Sequence, residues 1–142
     1  MTITYTDDTS ALEPEHLKGF FVGWPTHPDP GRHLAMLGRS HKVWLARDGD
    51  RCIGFINAIS DGLYCAFVPL LEVLPEYQGR GIGAELVRRM VASLDGLYSI
   101  DVVCDDGVAK FYESLGFTRL AGMARRNYGN QGAGSDAGTG DS

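Results

Sequence analysis

Leu70-Leu71-Glu72-Val73-Leu74-Pro75-Glu76-Tyr77-Gln78-Gly79-Arg80-Gly81-Ile82-Gly83 reads as an apolar strand running into a glycine-rich turn, with an amphipathic helix directly after it. Glycine at alternate positions lets the backbone pass close to a ligand without Cβ atoms in the way. The helix that follows leaves its first N–H groups without intrahelical acceptors, so they point at whatever occupies the turn. Together these features form an anion site whose natural occupant is a phosphate or pyrophosphate.

The elements around this stretch can be placed from pattern. Downstream, Ile82, Leu86, Met90 and Leu94 recur every four residues, which predicts a helix from Gly81 to about Asp95, stopped by Gly96. Tyr98–Cys104 then reads as a strand. Asp105 or Asp106 is placed to cap a helix over Gly107–Leu115, ended by Gly116, and Phe117–Leu120 and Met123–Tyr128 read as closing strands. Upstream, Val43–Arg47 and Cys52–Ile59 flank the turn Asp48-Gly49-Asp50 as a hairpin. Tyr64–Leu74 is the next strand, with Pro69 inside it predicting a bulge or splay. Further back lie a short strand at Ile3–Tyr5, a short helix over Pro14–Phe21, a proline loop over 23–30, and a helix from Pro30 to about Leu37 capped by Asp29. Strands followed by strand, helix, strand, helix and strands predict an α/β or α+β domain with a mixed sheet. One domain is expected over residues 1–128, with 129–142 a disordered Gly/Ser/Asp-rich tail.

Composition narrows the function classes. The chain has 142 residues, 44% hydrophobic and 22% charged, with a formal net charge of −5, which argues against non-specific nucleic-acid binding. No apolar run approaches the roughly 20 residues of a membrane helix, and the first residues lack the pattern of a signal peptide. Cys52, Cys65 and Cys104 are widely spaced in apolar segments and read as buried small hydrophobes. Neither a disulfide framework nor zinc spacing is present, so the expected setting is the reducing cytoplasm and no metal is expected.

Two blocks carry a family resemblance. Gln78-Gly79-Arg80-Gly81-Ile82-Gly83 is similar to the Gln/Arg-x-x-Gly-x-Gly/Ala pattern of the GCN5-related N-acetyltransferases (GNAT). Asp106-Gly107-Val108-Ala109-Lys110-Phe111-Tyr112-Glu113-Ser114-Leu115-Gly116-Phe117 resembles the same family's C-terminal block, in the right order and with one strand between. The resemblance covers roughly Val43 to Tyr128. It implies a mostly antiparallel mixed sheet flanked by helices, with two central parallel strands, here Tyr64–Leu74 and Tyr98–Cys104, splayed around acetyl-CoA. It also implies that backbone groups of Leu71 and Val73 pair with the pantetheine arm. The turn Gln78, Gly79, Arg80, Gly81, Ile82, Gly83 and Ala84 would hold the pyrophosphate, and Asp106 and Tyr112 would complete the cofactor contacts.

The implied reaction moves an acetyl group from acetyl-CoA to a primary amine, directly within a ternary complex. It needs a neutral nucleophile, a stabilised oxyanion and a proton for the departing thiolate. Tyr112 matches the family's acid, and a phenol with a pKa of about 10 is protonated at neutral pH. Two departures stand out. Asp106 occupies the place of the family's Asn and lacks an amide donor. The early strand has Phe67, Val68, Pro69 and Leu70 where many relatives carry an acidic base. Glu72 is the only carboxylate on that strand, either a proton relay through water or a strand-edge group with no catalytic duty; Asp61, on the preceding turn, is a comparable candidate. Cys104 as a nucleophile has no His close in sequence to activate it.

His16, His27, His33 and His41 read as surface residues. Trp24 and Trp44 read as core or cleft wall. Phe20-Phe21-Val22-Gly23-Trp24 lies where the family shapes its acceptor pocket, with core packing the first role for its aromatics and pocket lining the second. Pocket lining would favour an amine with an aromatic or apolar body, in weak likeness to the arylalkylamine-acetylating members. The expected partner is a small-molecule amine, with no nucleic acid, no membrane and a homodimer possible. The alternatives are a protein N-terminal or lysine acetyltransferase and a non-catalytic acyl-CoA-binding module. A nucleotide-binding reading is disfavoured: the turn lacks a P-loop ending and does not complete Gly-x-Gly-x-x-Gly.

Overall fold

A computed structural model describes residues 2–132. Five strands form one sheet in chain order: β1 (Ile3–Thr6), β2 (Lys42–Asp48), β3 (Arg51–Ser60), β4 (Cys65–Val73) and β5 (Ser99–Val102). The first four pair antiparallel, while β4 and β5 pair parallel. The helices are α1 (Pro30–Gly38), α2 (Ile82–Ser93) and α3 (Asp106–Glu113). The parallel crossover from β4 to β5 is made by α2, as a parallel pair requires.

β3 is the centre of the core, with Cys52, Ile53, Phe55, Ile56 and Ala58 all fully buried. Alternation turns its residues to opposite faces. Gly54 faces α2, where an added Cβ would lie 3.2 Å from Leu86 Cδ1, so glycine lets the helix seat closely. Leu86 and Met90 of α2 are buried there, each contributing about 2 kcal/mol by removal from water. Phe55 faces the other way, against the rings of Phe20, Phe21 and His33 beneath α1. Asp29 caps α1 as expected, its Oδ1 accepting from the Arg32 N–H at 2.8 Å.

Pro69 has the expected effect. The parallel ladder runs from Cys65↔Ser99 to Val68↔Val102 and stops there, at a residue with no N–H to donate. Opposite it the β3–β4 register shifts between Asn57 and Ile59, as a bulge would produce. From Leu70 onward β4 keeps β3 on one side and leaves the other edge to a gap.

Several expectations are corrected. The helix at Pro14–Phe21 is only a 3-10 turn, Pro14–Leu17, because Gly19 adopts φ 97° and Phe21 φ 65°. The helix expected over Gly107–Leu115 spans Asp106–Glu113, with Asp105, one of the two expected positions, as its N-cap but without a side-chain cap bond. Cys65 and Cys104 are exposed, the first at the start of β4 and the second beyond β5; only Cys52 is buried. Residues 117–127 form no strands. The splayed parallel pair therefore lies at one edge of the sheet rather than its centre. A strand needs a neighbour to accept its hydrogen bonds, and among the described residues 118–126 have no backbone bond to β5. Tyr128–Asn130 make a 3-10 turn, capped by the Asn127 side chain. The rest of the expected tail, from 133, lies outside the described residues.

Leu120 and Met123 are 82% and 101% exposed. Leu120→Lys and Met123→Lys are therefore expected to leave unfolding free energy within about 0.5 kcal/mol of the parent. Denaturant titration checks this, and a loss above about 1 kcal/mol would mean that the segment is covered in solution.

Candidate active site

Two cavities flank the C-terminal half of β4, with Leu70 lining one and Leu71 the other. The smaller, about 460 Å3, runs along Leu71, Glu72 and Val73, under the glycine turn, and across to Val108 and Phe111 of α3. It gathers Leu71, Val73, Gln78, Gly79, Gly81, Ile82, Gly83 and Ala84, eight of the eleven residues expected to hold the cofactor.

The turn is built by local chemistry. Gly79 and Gly81 both have φ 80°, a left-handed conformation that a Cβ disfavours. A Cβ on either would meet nothing within 4 Å, so their open side faces free space. Gln78 Nε2 donates to the Val73 carbonyl at 2.9 Å and ties the turn to the end of β4. The Arg80 Nη2 donates to the Glu76 carbonyl at 3.2 Å, and its guanidinium lies 5.4 Å from the Tyr77 ring centroid. Gly81 is the N-cap of α2 and brings no side chain, which leaves the first helical N–H groups to a ligand. A pyrophosphate fits this donor set, and the free β4 edge fits an extended amide-bearing arm.

The three remaining cofactor candidates stand apart. Arg80 borders the turn without lining the cavity. Asp106 is 99% exposed at its side chain and pairs with Arg119 at 3.2 Å. Tyr112 is buried, its ring packed on Phe111 and Phe117, and it lines neither cavity. Burial, and secondarily the nearby Cys104 thiol, pushes its hydroxyl up to about 12. It holds its proton well past neutrality. Tyr77, Val108 and Phe111 also line the cavity and had no role in the sequence reading. The i, i+3 spacing of Val108 and Phe111 on α3 was the available signal.

The larger cavity, about 630 Å3, lies between α1 and the Phe21–Trp24 turn. Phe21, Trp24, Met36 and Leu70 supply apolar walls, and Asn130 and Gln131 close one side. His33, also on its lining, is not a surface residue. It is 1% exposed, and burial pushes its imidazole down to about 4. Neither ring nitrogen has a hydrogen-bond partner, and the rings of Phe20, Phe21 and Phe55 surround it at 4.4–5.5 Å. Contacts between imidazole and ring faces replace hydrogen bonds only weakly.

Glu72 is turned toward the larger cavity's wall. Its Oε1 accepts the Phe21 N–H at 2.8 Å and its Oε2 the Val22 N–H at 3.2 Å. Asp61 is used similarly in its own loop: Oδ1 accepts from Leu63, Tyr64 and Cys65, and these bonds hold the carboxyl below its usual range. Glu13, Glu15 and His16 cluster at the first 3-10 turn, where Glu13 and His16 form a capping box and His16 Nδ1 accepts the Glu13 N–H. Trp44 sits on the α2 face, donating to Ser93 Oγ at 2.8 Å. Among the described residues no helix is long and apolar enough to cross a membrane.

Comparison with known proteins places the chain in a family. Residues 39–119 match the model of the acetyltransferase (GNAT) domain. A crystal structure of a candidate acetyltransferase from Deinococcus radiodurans R1 superposes with a TM-score of 0.89 at 42% identity, covering 92% of each chain. Serotonin N-acetyltransferase 2 of Oryza sativa is 33% identical over 113 residues, 72% of this chain and 56% of the rice protein. The N-alpha-acetyltransferase RimI of Mycobacterium tuberculosis is 34% identical over 122 residues, 80% of this chain and 74% of its own. The chain spans about half the length of the first plant relatives it matches. With the family model covering more than half of its residues, the chain belongs to the GNAT acetyltransferase family.

Proposed function

We propose that this protein is an acetyl-CoA-dependent N-acetyltransferase that acetylates the primary amine of a small molecule with an aromatic or apolar body. The observation that carries the reading is the convergence of the free β4 edge, the glycine turn and the start of α2 on one cavity. The family uses acetyl-CoA, whose thioester supplies an activated acyl group. Leu71 and Val73 would align its extended arm, and the turn from Gln78 to Ala84 would hold its phosphates. Tyr112 would keep a proton available for the leaving thiolate. The acceptor would enter the larger cavity across β4, where Phe21, Trp24, Met36 and Leu70 favour a flat or aliphatic body.

A second reading, acetylation of a protein N-terminus, is favoured by the similarity to RimI. The test is release of free CoA thiol from acetyl-CoA across 2-phenylethylamine, tryptamine, aminoglycosides and peptides with free N-termini. Turnover confined to the small amines supports the first reading, and turnover confined to peptides supports the second. A flat response would point to a non-catalytic acyl-CoA-binding module.

Gly81→Val tests the cradle. A β-branched residue is strained at φ 80°, and its side chain would fill the space above the turn. Acetyl-CoA affinity by calorimetry is expected to fall by about tenfold or more, the strain alone being about 1–2 kcal/mol. Unaltered affinity would sink the pyrophosphate assignment.

A further inference from the structure

We infer that Glu72 is a positioning residue, an anchor that holds Phe21 in a left-handed backbone conformation and so sets the aromatic wall of the acceptor cavity. This rests on the reading of the larger cavity as the acceptor site. Phe21 is the only non-glycine residue with positive φ among the described residues, at 65°. A Cβ disfavours that conformation, so it persists only where its surroundings over-determine it. Two successive N–H groups, Phe21 and Val22, converge on one carboxylate at 2.8 and 3.2 Å. Such paired amides form a concavity suited to an anion. The Trp24 N–H closes the turn on the Phe21 carbonyl at 3.2 Å.

The consequence lies in the rings. Phe21 meets Trp24 with centroids 4.9 Å apart and planes at 59°, and both line the cavity. Phe21 also packs against His33 at 4.9 Å. If the backbone at Phe21 relaxed to negative φ, its ring would leave this position and the Trp24 wall would lose its support. Glu72 comes from the strand whose neighbours Leu71 and Val73 line the cofactor cavity. One side chain thus fixes the acceptor wall relative to the cofactor strand, across 51 residues of sequence. Both oxygens accept from the loop, and the role proposed for the carboxylate is geometric rather than proton transfer.

The test compares Glu72→Ala and Glu72→Gln with the parent protein. Amide hydrogen exchange at Phe21 and Val22, read by NMR, needs no acceptor and reports the anchor directly. Exchange at both is expected to quicken about tenfold or more in Glu72→Ala and less in Glu72→Gln, which keeps one carbonyl oxygen. With 2-phenylethylamine as the acceptor, Glu72→Ala is expected to raise the amine KM about tenfold. The KM for acetyl-CoA should stay within about twofold and the pH profile should keep its shape. Glu72→Gln should recover most of the loss. Unchanged exchange in Glu72→Ala overturns the anchor. Faster exchange with an unchanged amine KM overturns the acceptor-wall role while the acetyltransferase reading stands. A kcat loss of about a hundredfold in Glu72→Gln, with the acidic limb of the profile gone, overturns the proposal in favour of a general base.

Discussion

Tyr112→Phe is expected to cut turnover by about a hundredfold or more while leaving acetyl-CoA affinity and stability nearly unchanged. The size is that of a lost general acid. The hydroxyl is the only group removed, and the ring that packs on Phe111 and Phe117 remains. A change confined to kcat would show that the hydroxyl acts in the transition state rather than in binding. The pH dependence adds a second constraint. Because burial raises the Tyr112 hydroxyl to about 12, the parent should show no alkaline loss from this group below about pH 10. The same shift makes the neutral phenol a stabilising feature of the fold: its contribution is present below pH 10 and lost as pH rises through about 12. Steady-state kinetics across pH 6–10, with a melting curve as control, decides the matter. Normal turnover in the variant would return Tyr112 to the core as a packing residue.

How far the fold could be read depended on how local its causes are. The glycine turn and α2 are written in neighbouring residues: positive φ at Gly79 and Gly81, then an apolar residue every fourth position. Pro69 is equally local, since a missing N–H stops a ladder wherever the strand lies. The closing strands failed for the opposite reason. Phe117–Leu120 and Met123–Tyr128 have strand-like composition, but pairing is a tertiary event, and among the described residues neither segment joins the sheet.

The two halves of the site differ in the same way. The half proposed to hold the cofactor is nearly contiguous from Leu71 to Ala84, so the residues lining its cavity stand together in the sequence. The half proposed to take the acceptor is assembled from Phe21, Trp24, α1, Leu70 and Gln131, which only the fold brings together. The bond from Glu72 to Phe21 leaves no sequence trace, because neither the positive φ nor its partner across the chain is encoded by a turn residue such as glycine. His33 did leave one. It sits four residues before Leu37 on a helix whose buried face carries both, so the spacing marked it for the interior despite its residue type.

That buried imidazole carries the second large expected effect. His33 is expected to make the protein acid-labile, and His33→Leu is expected to remove that lability. Unfolded, the imidazole takes up its proton near pH 6.5; folded, burial among Phe20, Phe21 and Phe55 delays this to about 4. Between those values the unfolded chain binds a proton that the folded chain refuses, so stability falls as pH falls. Each tenfold weakening of proton affinity on folding is worth about 1.4 kcal/mol, so the loss is on the order of 3 kcal/mol. Asp7, Asp8 and Asp61 are held below 3.8 by their hydrogen bonds, so their contributions are lost only at lower pH. Leucine is close in volume and has no nitrogen to leave unpartnered. At pH 7 the variant should stay within about 1.5 kcal/mol of the parent, the scale of the ring contacts it gives up. Urea titrations at intervals from pH 7 to pH 4 should show the parent weakening and the variant nearly level. Parallel acid dependence in the two proteins would mean that His33 takes up its proton in the folded state, through an opening of the aromatic wall at Phe21 that admits water to the ring.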